Sequence, residues 1–469
     1  MSGSVETVAS HLRALATKQA GGARLPSVRD LMRQFGVSPV TVRKALVHLG
    51  HQGIVESKPG QGIFVVDRKT TAERSGDMGW QALALGPRRA SAEAVGTLLR
   101  VPQERIINLG NGYLPEHMQA THLLASAANR ALRRPGIWNR VPLEGIEPLC
   151  AWFADEMAGA FNAHEITICP GTQSALAAAF RALTSPGDSI LMESPTYTGA
   201  IAAARAGGLN LVPVPTDRQG IRVDLLEDAF RTTGARILYM QPTYANPTGA
   251  VLASDRRDKI LALLARYNAF LIEDDWARDF CLDGSAPPPP LAASEQDGHI
   301  IYIRSLTKSA APGLRVGAVC ARGPALERLR AVRAVEDFFV SGLLQETTLQ
   351  LVTSAAWPRH LRNLRVALRE RRDALVAAVH KHLGHESLLQ TPSGGLHAWI
   401  QLPVGVSDME VTERAAQVQM TVSPGWHWFP ADAPGSFLRL SFAALPPASY
   451  DEAIARLADI CTTGRERLR

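Results

Sequence analysis

The stretch Ile300-Ile301-Tyr302-Ile303-Arg304-Ser305-Leu306-Thr307-Lys308-Ser309-Ala310-Ala311-Pro312-Gly313-Leu314-Arg315 decides the reading of this chain. An apolar β run over 300–304 delivers a lysine at its carboxyl end, with Ser305 three residues before Lys308 and Arg315 seven after it. An amine flanked by a hydroxyl and a guanidinium suits a phosphorylated aldehyde. Lys308 would form a Schiff base while Ser305 and Arg315 bind the phosphate. Lysine is scarce: of 50 basic residues, lysine stands only at 18, 44, 58, 69, 259, 308 and 381, so Lys259, Lys308 and Lys381 are the candidates for amine chemistry in the large C-terminal part.

Outward from that strand, short β runs at 166–169, 189–192, 210–213, 236–240, 269–272, 300–304 and 315–320 alternate with helical stretches at 172–183, 197–206, 222–232 and 254–267. The alternation predicts an α/β domain with a mainly parallel sheet, ligands binding at the carboxyl ends of its strands. Long amphipathic helices follow from about 325, then a smaller α+β part.

Other candidates sit at strand ends. Glu273-Asp274-Asp275-Trp276 gathers three carboxylates, which repel and need a positive partner, either a pyridinium nitrogen or a metal. Asp275 has the alternative of facing solvent. Gly171-Thr172-Gln173-Ser174 opens a helix with free N–H groups, an anion site. Tyr197 could lie over a flat cofactor or pack in the core, and Asn246-Pro247-Thr248-Gly249 is a turn that aims an amide. Phe437-Leu438-Arg439-Leu440-Ser441-Phe442 sets one arginine in an apolar strand, either paired internally or clamping a carboxylate ligand.

The chain has 469 residues, 46% hydrophobic and 20% charged, a globular composition long enough for more than one domain. Cys150, Cys169, Cys281, Cys320 and Cys461 form no CxxC pair, so neither a disulfide scaffold nor a metal site is expected, and a reducing compartment fits. No secretory signal and no membrane-spanning stretch is apparent, which points to the cytoplasm. The net charge of +6 is concentrated in residues 1–68, which hold nine basic and four acidic side chains. A basic module on a near-neutral body predicts a polyanion-binding head. Within it, Ser27 with Asp30 reads as a capping box, Gly36 as a turn, and Ser38-Pro39 as the start of a helix that buries Val42, Ala45, Leu46 and Leu49. Two β runs, 54–57 and 63–66, flank a basic tip with Gly60 and Gly62, a wing able to approach a phosphate backbone.

The ordered set PGTQ, SPTY, NPTG, EDD, SLTK, APGLR and LRLSF, from about residue 106 to the C-terminus, resembles the fold-type I pyridoxal-phosphate aminotransferases. LPSVRDLMRQFGVSPVTVRKALVHLGHQGIVESKPGQGIFVV resembles a GntR-type winged helix-turn-helix. The combination is similar to the MocR subfamily of bacterial transcriptional regulators: residues 1–67 a DNA-binding domain, 68–104 a linker and 105–469 an aminotransferase-like domain binding pyridoxal 5'-phosphate and an effector.

The resemblance implies that Lys308 carries the Schiff base and that Asp274 pairs the pyridine nitrogen, with Asp275 as fallback. Asn246 would face the ring hydroxyl, Tyr197 would stack on the ring, and Thr172, Gln173, Ser305 and Arg315 would bind the phosphate. Arg439 would take the effector's carboxylate. Arg29, Thr41, Arg43, Lys44, Gly60 and Gly62 would contact DNA. A homodimer is implied, domain-swapped head to tail, acting at the nucleoid and sensing an amino compound, or pyridoxal phosphate itself, through an external aldimine. The competing function is a working aminotransferase with a DNA-binding appendage.

Three features depart from the resemblance or stand outside it. Trp276 replaces the usual tyrosine, and an indole N–H donates but does not accept. Trp426 and Trp428 either wall the effector pocket or pack in the core. Arg359, Arg362, Arg365, Arg369 and Arg372 fall on one helix face, expected to be solvated or to touch DNA.

Overall fold

The computed structural model describes residues 3–58, 61–66, 79–85, 95, 96, 99, 106–157, 159–284 and 286–466. Gly60 and most of the segment 68–104 lie outside the described residues, which in that segment include a short helix, Gly79–Ala84. The chain divides into two compact units, Met1–Pro87 and Arg88–Arg469.

The first unit holds helices α1 (Gly3–Lys18), α2 (Val28–Phe35) and α3 (Pro39–His51) and an antiparallel sheet in the order β1 (Arg24–Leu25), β3 (Gly62–Val65), β2 (Val55–Lys58). The local signals act as the sequence predicts. The Ser27 hydroxyl accepts from Asp30 N while Asp30 accepts from Ser27 N, closing the capping box. Gly36 ends α2 at φ 60°, a left-handed conformation that glycine adopts without steric cost. Ser38 accepts from Thr41 N, and Pro39 begins α3, which runs two residues past Leu49 to His51. Val42, Ala45 and Leu49 meet Val8 and Leu12 of α1 and Val55 and Ile63 of the wing in one small core.

The second unit is built on an eight-stranded sheet in the order β5 (Ile166–Cys169), β12 (Gly317–Cys320), β11 (Ile300–Ser305), β10 (Phe270–Asp275), β9 (Ile237–Met240), β6 (Ser189–Ser194), β7 (Asn210–Asp217), β8 (Gly220–Ile221). The strands β7, β6, β9, β10 and β11 are parallel. The sheet is mainly parallel, as expected, with two exceptions: β12 runs antiparallel to both β11 and β5, and β8 antiparallel to β7. The connection 306–316 between β11 and β12 is too short for a parallel crossover, which takes about a dozen residues or more. It returns as a tight excursion instead, and that excursion carries Lys308 and Arg315. Alternate residues feed two faces: Leu191, Leu238, Leu271 and Tyr302 on one, Ile190, Ile237, Ile272 and Ile301 on the other.

A smaller part follows helix Ala356–His382. It holds a three-stranded antiparallel sheet, β13 (His397–Gln401), β16 (Phe437–Ser441) and β15 (Ser423–Pro424), and a parallel pair of β4 (Ile107–Asn108) with β14 (Met420–Thr421). The arginine stripe on Ala356–His382 is not simply solvated. Arg365 donates to Asp279 O and Arg369 to Leu282 O, while Arg372 is buried against Pro392 O and Asp283, so the second half of the stripe holds the loop after β10. Arg359 and Arg362 are exposed. Among the described residues no helix is long and apolar enough to cross a membrane.

Candidate functional site

The carboxyl ends of β10 and β11, the start of helix Thr172–Leu183 and strand β16 converge on a cavity of about 980 Å³. It is lined by Thr172, Gln173, Tyr197, Asn246, Asp274, Ser305, Lys308, Arg315 and Arg439, every body residue predicted for the site. Asp275 is not among the lining residues.

Strand alternation separates the two aspartates. Asp274 is turned into the cavity, where its Oδ2 accepts from Tyr239 Oη (2.8 Å) and Gln241 Nε2 (2.9 Å) while its Oδ1 is buried and has no partner. Burial raises its pKa to about 6 against the opposing pull of those two donors. Asp275 points to the other face, accepting from Tyr302 Oη (2.7 Å) and pairing with Arg278 (3.1 Å). Glu273, also on that face, accepts from the backbone N–H of Leu291 and Ala292. The acidic triplet is thus not one cluster: a protein cation and backbone donors take two members and leave Asp274 for the cavity.

Lys308 Nζ donates to Gly112 O (2.7 Å) and lies 3.5 Å from the centroid of the Tyr113 ring. Desolvation first, then the charges of Arg439 and Arg315, lower its pKa to about 7, with Asp274 opposing. At neutral pH a large fraction of this amine is therefore free base, the nucleophilic form. Arg439 is 1% exposed. It donates to Gly110 O (2.6 Å) and Asn246 Oδ1 (3.3 Å), its Nε is unpartnered, and among the described residues no carboxylate pairs with it. Burial lowers its pKa to about 9. Its guanidinium lies 4.3 Å from the centroid of the Trp428 ring, a cation–π floor.

An anion cradle occupies the opposite side. The Ser305 hydroxyl meets the Thr307 hydroxyl (3.0 Å) and accepts from Thr307 N. Arg315 packs over Gly171, where a Cβ would come within 3.0 Å of its guanidinium, and donates to Pro170 O. Gln173 is committed elsewhere: its amide donates to Gly199 O and accepts from Tyr197 Oη (3.2 Å).

The aromatic alternatives separate. Trp276 lines the cavity, but its indole N–H is spent on Tyr244 O (3.1 Å). Trp428 is buried with Trp399, Phe429 and Phe437, and Trp426 is 41% exposed, so neither walls the cavity. The sequence reading missed Gly112, Tyr113, Gln241 and Tyr239. The first two lie almost 200 residues before Lys308 with no motif around them. Tyr239 and Gln241, two apart at the end of β9, carried a signal in principle, since β9 neighbours the acidic strand.

In the first unit Arg29 lies on α2, and Thr41, Arg43 and Lys44 lie on α3. Arg29, Arg43 and Lys44 are exposed, and Gly62 starts β3 at φ 127°, packed against the Arg24 side chain.

Residues 105–457 match the family model described as aminotransferase class I and II. The chain belongs to this family. Residues 5–65 match the model of bacterial regulatory proteins of the gntR family, so an aminotransferase-family domain carries a GntR head, as in MocR-type regulators. The chain is 29% identical to an uncharacterized HTH-type transcriptional regulator, YisV, of Bacillus subtilis, covering 91% of this chain and 89% of that protein. It is 27% identical to a probable rhizopine catabolism regulatory protein, MocR, of Rhizobium meliloti, over 96% of this chain and 90% of that one. Among solved structures, the α-aminoadipate aminotransferase LysN of Thermus thermophilus, complexed with N-(5'-phosphopyridoxyl)-L-leucine, superposes with a TM-score of 0.75 at 28% identity, covering 81% of this chain and 96% of that one.

The cofactor of this aminotransferase family is pyridoxal 5'-phosphate, and the residues present fit it. The buried, unpartnered Oδ1 of Asp274 awaits a donor. A lysine of lowered pKa and an anion cradle stand in the same cavity.

Proposed function

We propose that this aminotransferase-family chain is a pyridoxal-phosphate-dependent, DNA-binding transcriptional regulator whose large domain senses an amino compound bearing a carboxylate. The observation that carries the reading is Arg439, a buried guanidinium without a carboxylate partner that shares a cavity with Lys308, in a chain that also bears a GntR head. In this reading residues 1–67 bind DNA, 68–104 link, and 105–469 sense. The protein works in the cytoplasm as a homodimer, domain-swapped head to tail.

Bound pyridoxal phosphate supplies an aldehyde that condenses with primary amines and an electron-withdrawing ring. Lys308 would supply the amine that holds the aldehyde. Asp274 would hold the proton of the ring nitrogen, with Asn246 toward the ring hydroxyl and Tyr197 toward the ring. Thr172, Ser305 and Arg315 would bind the phosphate, with Gln173 as brace. Arg439 binds the effector's carboxylate. For ligand to matter, its bound and free states must place the DNA-binding heads differently.

A second reading, a working aminotransferase, is supported by the same intact set of Lys308, Asp274 and Arg439. The test of the sensor is the near-visible absorption of loaded protein titrated with amino acids and with their decarboxylated amines. A response to an amino acid that its amine does not evoke supports the reading. Equal responses to both, or none across the panel, overturn it.

A further inference from the structure

The exposed face of α3 is not uniformly polar. Val40, Arg43, Lys44, Val47, His48 and His51 share one side at helical spacing and line a shallow depression. Val40 is 59% exposed and Val47 60%, whereas Val42, Ala45 and Leu49 on the opposite side are buried. Two outward valines flanking two cations are unnecessary for the core, which is built from the opposite face. A phosphate backbone would reward Arg43 and Lys44 and ignore the valines. In the major groove the one apolar feature of a base edge is the thymine methyl, and arginine or lysine pairs with the acceptors of guanine.

Resting on the reading of the head as DNA-binding, we propose that α3 reads thymine methyl groups through Val40 and Val47, with Arg43 and Lys44 contacting purine acceptors beside them. Val40, in the first turn, carries the larger share, because the N-terminal end of a recognition helix sits deepest in the groove. The two valines are seven residues apart, about 10 Å along the helix axis, so the thymines they meet lie roughly three base pairs apart.

The full chain is used to select from a random double-stranded DNA pool, and the enriched sequence is then remade with deoxyuridine at each thymine in turn. Deoxyuridine keeps the pairing and removes only the methyl. The expected result is a thymine shared by the half-sites whose replacement weakens binding about fourfold, the worth of one lost methyl contact. At the thymine that Val40 meets, the variant V40A should bind the thymine and deoxyuridine forms equally, while discrimination at the Val47 thymine remains. Alanine at this exposed helical position keeps the head folded. Enriched DNA without such a thymine, or deoxyuridine tolerated at every position by wild type, overturns the methyl reading and leaves DNA binding standing. A pool that yields no preferred sequence overturns both.

Discussion

Two buried arginines, on strands of two different sheets of one domain, meet opposite surroundings. Arg304, at the end of β11, contacts Asp279 (3.1 Å) and Glu156 (3.1 Å). Burial pulls its pKa down, but Asp279, Tyr302 and Glu156 outweigh it and hold the pKa above the ordinary arginine range. Arg439, on β16, is as deeply buried, has no carboxylate partner among the described residues, and is lowered to about 9 by burial. A buried charge that is paired inside the fold is part of the scaffold. One left with a carbonyl, an amide and an indole face is, in the proposed function, the group that takes an anion from outside. The same contrast repeats one strand away, where Asp275 pairs with the Arg278 cation and Asp274, facing the cavity, has only the neutral donors Tyr239 and Gln241.

The largest effect expected is at the amine that shares Arg439's cavity. Lys308→Ala should abolish covalent capture of pyridoxal phosphate; a borohydride-fixed adduct found in that variant would contradict the assignment. Next, Arg304→Met strands Asp279 in the interior and should cost about 3–5 kcal/mol in chemical denaturation. A small loss would show that the pair is not structural. Arg439→Met should behave oppositely. Folding stability should change by no more than about 1 kcal/mol, while affinity for a carboxylate-bearing effector falls roughly tenfold to a hundredfold. If the two variants lose stability alike, the contrast between the arginines is false.

Much of this was readable from local sequence. Capping at Ser27 and Ser38 and the turn at Gly36 depend on neighbours three or four residues away, so short-range chemistry specifies them. Lys308, Asp274 and Arg439 stand out because a charged residue at the end of, or within, an apolar strand must be accounted for. What pattern cannot give is which face a residue meets in three dimensions. Trp428 and Trp426 are two residues apart and end in the core and on the surface. The stripe from Arg359 to Arg372 showed a helix face but not the loop 279–283 that covers half of it. Tyr113 reaches Lys308 because β4 pairs with β14, a contact between strands some 300 residues apart that no periodicity announces.

Smaller effects sharpen the electrostatic part. With a pKa near 7, Lys308 is mostly protonated below that pH and mostly neutral above it, so capture of pyridoxal phosphate should speed up as pH rises through about 7 and then level off. An ordinary lysine at 10.5 would still be gaining well above that point. Arg439→Met removes one of the charges that depress Lys308 and should move the inflection to higher pH; an unmoved inflection would mean that burial alone sets it. The smallest effect expected is at Trp426: Trp426→Ala should alter stability by less than about 0.5 kcal/mol and leave effector affinity unchanged, because the side chain is outside the cavity.

The central claim is that the large domain recognises its amino compound and stops there. The most direct test incubates the loaded full chain with the compound that shifts its absorption and measures released 2-oxo acid over time. The account predicts a persistent spectral shift with release that stays substoichiometric. Sustained release of many equivalents per chain would contradict it and make the protein an aminotransferase with a DNA-binding head.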